Sequence, residues 1–259
     1  MLCANLYFPF GASSGGRALL AGFLQSHVSP EIHSLNAIEL EYAEGGDLHP
    51  SVLLGETGGG RGTGQTSPDL GLLVNEGRGL VLLENKFLEH SFYQCSARRT
   101  ASSSIRAGNP DPSRCDNALT VASDPKSQCH QSFWGRRYWQ HLAPVVDKEA
   151  LATLAHCPAA HTGYQLSRQQ ALAEGIAASG KYDFVVSGVA VDARNDALIN
   201  SLKRTGISSL EQWAKLFHGK AQFAVFTHQQ WVGWVRAQDT AQQWGDWLSY
   251  VESRYGYAG

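Results

Sequence analysis

Two apolar runs, 70–74 and 80–83, flank a polar Asn-Glu-Gly-Arg-Gly link at 75–79, and this block pattern predicts a β-hairpin. An acid, Asp69, opens the first run, and Glu84-Asn85-Lys86 closes the second. Side chains alternate across a strand, so Glu84 and Lys86 share one face while Asn85 points away. A hairpin also returns the chain beside its own start, which brings Asp69 near Glu84. Upstream, residues 16–27 read as a helix with Ser13 or Ser14 as its cap. Residues 37–43 alternate with period two and read as a strand, with Glu39 and Glu41 on one face.

Downstream, 87–99 leaves the sheet, and 100–128 is rich in Ser, Asn, Asp and Pro, as expected of a long ordered loop or insertion. Residues 129–142 read as a helix whose buried face is Phe133, Trp134, Tyr138 and Leu142, with Arg136 and Arg137 beside it. A helix at 164–179, a buried strand at 182–191, a helix at 208–218 and a strand at 222–227 follow. Residues 231–236 read as another strand or short extension, and 240–255 as an amphipathic helix with Trp244, Trp247, Leu248 and Val251 inward. Strands and helices in this order give a mixed α/β or α+β domain with a central sheet between helices. No repeat or linker divides it.

Asp69, Glu84 and Lys86 make a chemically purposeful set. Hard cations such as Mg²⁺ or Mn²⁺ favour oxygen donors, and Asp69, Glu84 and the backbone carbonyl of Asn85 supply them. A metal held there lowers the pKa of a bound water and offsets charge on a phosphodiester under attack. Lys86 can orient that water, or deprotonate it if its own pKa is lowered. The other reading of the same residues is a salt-bridged hairpin end. Residues 55–66 form a Gly-rich stretch without the Gly-Lys-Ser/Thr ending of a nucleotide loop, and they lead into a strand, so a loop bordering a cleft fits better, with Arg61 facing a phosphate.

Pro68-Asp69, a hairpin, then Glu84-Asn85-Lys86 at the end of an apolar strand resembles the PD-(D/E)XK nuclease superfamily, in its restriction-endonuclease-like branch. The resemblance implies a mixed sheet flanked by helices, a long insertion after the third core strand at about 95–130, and a metal-dependent nuclease acting on DNA. It implies Asp69, Glu84 and Lys86 as catalytic residues, with a homodimer plausible for cutting both strands. In the superfamily a further acid often supports the metal from the first helix. Residues 16–27 carry no acid, so Glu39 and Glu41 are substitutes by position. The Gln-x-x-x-Tyr signature of some members is absent, because Gly135 stands four residues after Gln131.

With 259 residues and a net charge of −2, any nucleic-acid footprint must be a local patch. Arg98, Arg99, Arg136 and Arg137 are its candidates, with scattered surface charge the alternative. No apolar run reaches the ~20 residues of a membrane span, and the first ten residues lack a secretory pattern, so the expected compartment is cytoplasmic and no membrane partner is expected. Of five cysteines, Cys95, Cys115 and Cys129 bracket the insertion and Cys157 follows. They match no close Cys-x-x-Cys pair. Some superfamily nucleases hold an iron–sulfur cluster with four cysteines beside the nuclease core, so a bound Zn²⁺ or cluster stands against unpaired structural thiols. A non-catalytic binding module on the same fold is the competing function. A Ser or Cys hydrolase is a third reading, and Cys95 has no local pattern to define it.

Overall fold

The computed structural model describes residues 2–58, 64–103 and 106–257, so Arg61 lies outside the described residues. Five strands, β1 (Leu35–Leu40), β2 (Leu70–Val74), β3 (Gly79–Lys86), β4 (Phe184–Val191) and β5 (Ala221–Thr227), lie side by side in chain order. The first three form an antiparallel meander, and β3, β4 and β5 run parallel. Connection length decides this difference. The β2–β3 link is a tight turn in which Asn75, Glu76 and Gly77 take positive φ of 54°, 60° and 79°. The parallel neighbours are joined by long crossovers that carry helices.

Among the described residues the longer helices flanking this sheet are α1 (Leu2–Gly11), α2 (Ser14–His27), α3 (Tyr164–Ser179), α4 (His228–Gln238) and α5 (Gly245–Tyr255). Ser13 caps α2, its hydroxyl accepting from the Gly16 amide at 3.0 Å. Alternation on β3 sends Val81 and Leu83 into a core shared with α1, α2, α4 and α5. Leu80 and Leu82 enter the opposite core, shared with α3 and the segment between β3 and α3. All eight residues of β4 are buried, as a strand covered on both faces requires. Gln169 of α3 fastens helix to sheet, its amide donating to the carbonyls of Leu82 at 3.1 Å and Gly188 at 2.8 Å.

Several elements depart from the expectation. Residues 231–236 are not a strand but part of α4, which starts in a capping box between Thr227 and Gln230. Trp231, Val232 and Val235 are buried at helical spacing, so cap and burial override the strand propensity of aromatic and branched residues. The single helix expected over 129–142 is two, His130–Phe133 and Tyr138–Leu142, broken at Gly135 with φ +79°. Phe133 is consequently 70% exposed rather than core, while Tyr138, Trp139 and Leu142 are buried. Gly55 sits against that break: a Cβ there would lie 2.2 Å from the Gly135 carbonyl oxygen. The strand over 37–43 shifts to Leu35–Leu40 because Glu41, at φ +47°, turns the chain out of the ladder.

The segment 100–128 is less loop-like than its composition suggests. Asp111, Asn117 and Asp124 each cap a short helical piece, Pro112–Asp116, Ala118–Ser123 and Pro125–Gln128, and two of these begin with proline. The Asn, Asp and Pro content is helix-start chemistry. Among the described residues no helix is long and apolar enough to cross a membrane.

Candidate active site at the hairpin end

Leu70 of β2 pairs with Leu83 of β3, so the next position outward sets Asp69 opposite Glu84. Asp69 Oδ2 accepts from the Asn85 amide at 2.7 Å. Lys86 Nζ lies 2.7 Å from Glu84 Oε1 and 3.7 Å from Glu89 Oε1. Glu84 and Lys86 are only 7% and 3% exposed. Gln165, in the first turn of α3, donates to the same Glu84 oxygen at 3.0 Å. Asn85 points to the other side of the strand, where both of its amide atoms are buried and without a hydrogen-bond partner. The three residues singled out in the sequence are therefore brought together.

Their charges do not balance. Burial and the Asp69 charge push the Glu84 carboxyl up to about 7, outweighing the pull of Lys86. Burial likewise raises Asp69, offset in part by the Asn85 amide and by Lys86. Burial lowers the Lys86 ammonium, but Glu84, Glu89 and Asp69 together hold it above the usual lysine range. This reverses the lowered value needed for a lysine base. One ammonium serves three carboxylates, a donor set that suits an added cation.

Glu89 is the acid that sequence reasoning missed. Its charge raises both Asp69 and Glu84, and its second oxygen accepts from the Phe87 amide at 2.8 Å. Its signal was the spacing, three residues beyond Lys86. Glu39 instead sits on β1 opposite Gly71, and Glu41 is exposed just past β1, its amide bonded to the Asp69 carbonyl at 2.8 Å.

Beside Glu84 opens a cavity of about 170 Å³, walled by Gln65, Thr66 and Ser67 and by Gln165, Arg168 and Gln169 of α3. Gln65 Oε1, Ser67 Oγ and Gln165 Oε1 are buried there without a hydrogen-bond partner, so the wall offers polar atoms to an occupant. Arg168 is aimed by Glu56 at 3.1 Å and by the Thr66 hydroxyl at 2.9 Å. Glu56 also accepts from Tyr138 at 2.7 Å. None of Gln165, Arg168 or Glu56 carried a sequence motif; only the fold brings them in.

The four candidate arginines divide. Arg136 is buried against the Gly55 carbonyl, and Arg98 is paired with Asp116 at 3.1 Å. Arg99 and Arg137 are exposed. Cys95, Cys115, Cys129 and Cys157 are all free thiols and all line one cavity. Burial pushes Cys95 up to about 12 and Cys115 up to about 11, which leaves no thiolate nucleophile for a Cys95 hydrolase.

No curated protein and no solved structure matches the chain. The family described as "Restriction Endonuclease associating with ARP" (REase-ARP) matches residues 1–256. An open five-strand mixed sheet flanked by helices is the restriction-endonuclease-like core expected of such a chain. With all but the last three of its 259 residues matched, the chain belongs to the REase-ARP family, a restriction-endonuclease family.

Proposed function

We propose that the chain is a divalent-metal-dependent nuclease that hydrolyses DNA phosphodiester bonds at the end of the β2–β3 hairpin. The observation that carries this reading is the register setting Asp69 opposite Glu84, with the Lys86 ammonium 2.7 Å from Glu84. Asp69, Glu84 and the Asn85 carbonyl would hold Mg²⁺ or Mn²⁺. Such an ion, when bound, supplies a water of lowered pKa and offsets charge on the phosphate. Lys86, fully protonated in this setting, acts as a donor that positions a water or phosphate oxygen rather than as the base. Gln165 fixes the Glu84 carboxylate in orientation, and Arg168 presents a guanidinium to the cavity where a backbone phosphate fits. Glu89 holds Lys86 from the solvent side. The association with ARP in the family's description extends, on this reading, to this chain.

The test is digestion of plasmid and oligonucleotide DNA with Mg²⁺ or Mn²⁺ against a chelator control. Asp69→Ala, Glu84→Ala and Lys86→Ala are each expected to lose at least ~100-fold in rate. Cleavage at wild-type rate in all three overturns the assignment. Salt-dependent DNA binding without divalent-dependent cleavage favours a non-catalytic module instead.

A further inference from the structure

We propose that Cys95, Cys115, Cys129 and Cys157 hold an iron–sulfur cluster that fastens the segment between β3 and α3 to the core. Cys95 stands where the chain has left β3, and Cys115 lies in the turn Pro112–Asp116. Cys129 precedes His130–Phe133, and Cys157 lies between Lys148–Ala152 and α3. Four separate stretches thus deliver their thiols to one cavity, otherwise lined mainly by apolar side chains. The backbone locks them in register: the Cys157 amide donates to the Cys115 carbonyl at 2.7 Å, and the Cys95 amide to the Ala159 carbonyl at 3.1 Å.

The hydrogen bonding at sulfur indicates what the thiols are for. The Gln131 side-chain amide donates to Cys95 Sγ at 3.3 Å. A neutral thiol is a weak acceptor that gains little from such a donor. A metal-bound thiolate carries charge that the Gln131 amide stabilises.

Spacing separates a cluster from a single ion. Four thiolates about 2.3 Å from one tetrahedral Zn²⁺ stand roughly 3.8 Å apart. Among the described residues, the one set of three metal-ligating atoms all within 4.8 Å of one another is Asp116, His156 and His161, so no three of these sulfurs gather that closely. Iron and sulfide together span a wider site and take four cysteines. The Asp116 trio needs no metal, since Arg98 and His156 each pair with its carboxylate at 3.1 Å. Assembly from ferrous and ferric iron with sulfide displaces the four thiol protons, and the ferric iron sets the oxidised state of the cluster without a further oxidant.

The full chain, purified without oxygen and reconstituted with ferrous and ferric iron and sulfide, is expected to carry equal amounts of iron and acid-labile sulfide and a visible absorption that dithionite bleaches. Cys115→Ser and Cys157→Ser should lose that absorption, while Cys3→Ser and Glu84→Ala keep it. Stoichiometric zinc in place of iron and sulfide, or a folded wild-type chain holding neither after reconstitution, overturns the proposal. If the cysteine variants do not fold, the iron and sulfide content of the wild type decides. Glu84→Ala separates this outcome from that of the nuclease assignment, because it removes cleavage and leaves the cluster.

Discussion

At the scale of the residue, Glu84 is the most consequential group in the molecule. A carboxyl held near 7 is protonated in the folded chain over a range where the unfolded chain, near 4.5, is not. Its contribution to stability is full below about pH 4.5 and is lost as pH rises through 7. Metal-free protein should therefore lose stability from this group between about pH 5 and 8, on the order of 3 kcal/mol. Glu84→Gln should flatten that decline, and Mg²⁺ should restore wild type at the alkaline end while leaving the variant unmoved. Denaturant midpoints with chelator and with Mg²⁺ measure both effects. Parallel pH profiles for the two proteins would contradict the account.

At the scale of the element, the hairpin was readable because two independent signals agreed, the apolar blocks and the turn residues at 75–79. The two-residue alternation then fixed Glu84 and Lys86 on one face without any tertiary knowledge. The helix at 164–179 was legible for the same local reason. Elements governed by a single backbone choice were not. Gly135 splits a helix, and the Thr227–Gln230 cap turns an apparent strand into α4. The partners of the hairpin were hidden more deeply. Gln165 and Glu56 reach the site only through α3, across 81 and 112 residues of sequence to Glu84 and Arg168 respectively. Gln169 illustrates what holds that helix in place. Gln169→Leu should cost about 1–3 kcal/mol, because it strips a donor from the buried carbonyls of Leu82 and Gly188. Equilibrium unfolding reads the loss, and a cost within error of zero would mean the helix is seated by its apolar contacts alone.

At the scale of the whole molecule, one sheet separates two cores, and the charged site lies at the end of β3 where the antiparallel half meets the parallel half. The ends of the chain close the face opposite α3: Phe10 of α1 stacks on Trp244 at 4.0 Å, and Trp247 of α5 donates to the Asn5 carbonyl at 2.9 Å. With a net charge of −2, attraction to DNA must come from local exposed arginines. Arg99→Ala and Arg137→Ala should each weaken DNA binding across sequences alike and reduce the salt slope by about 1. Arg98→Ala should instead act on stability, through its pairing with Asp116. Titrations at several salt concentrations separate these outcomes, and an unchanged slope in both exposed variants would move the contact surface elsewhere.

Asp69, Glu84, Lys86 and Glu89 arrive on one short ribbon, whereas Gln165, Arg168 and the wall at 65–67 come from elsewhere. On the proposed nuclease reading, the reactive groups are encoded as one unit, and the surroundings that would select what enters are free to drift independently. Descendants of such a chain would change their targets far more readily than their chemistry.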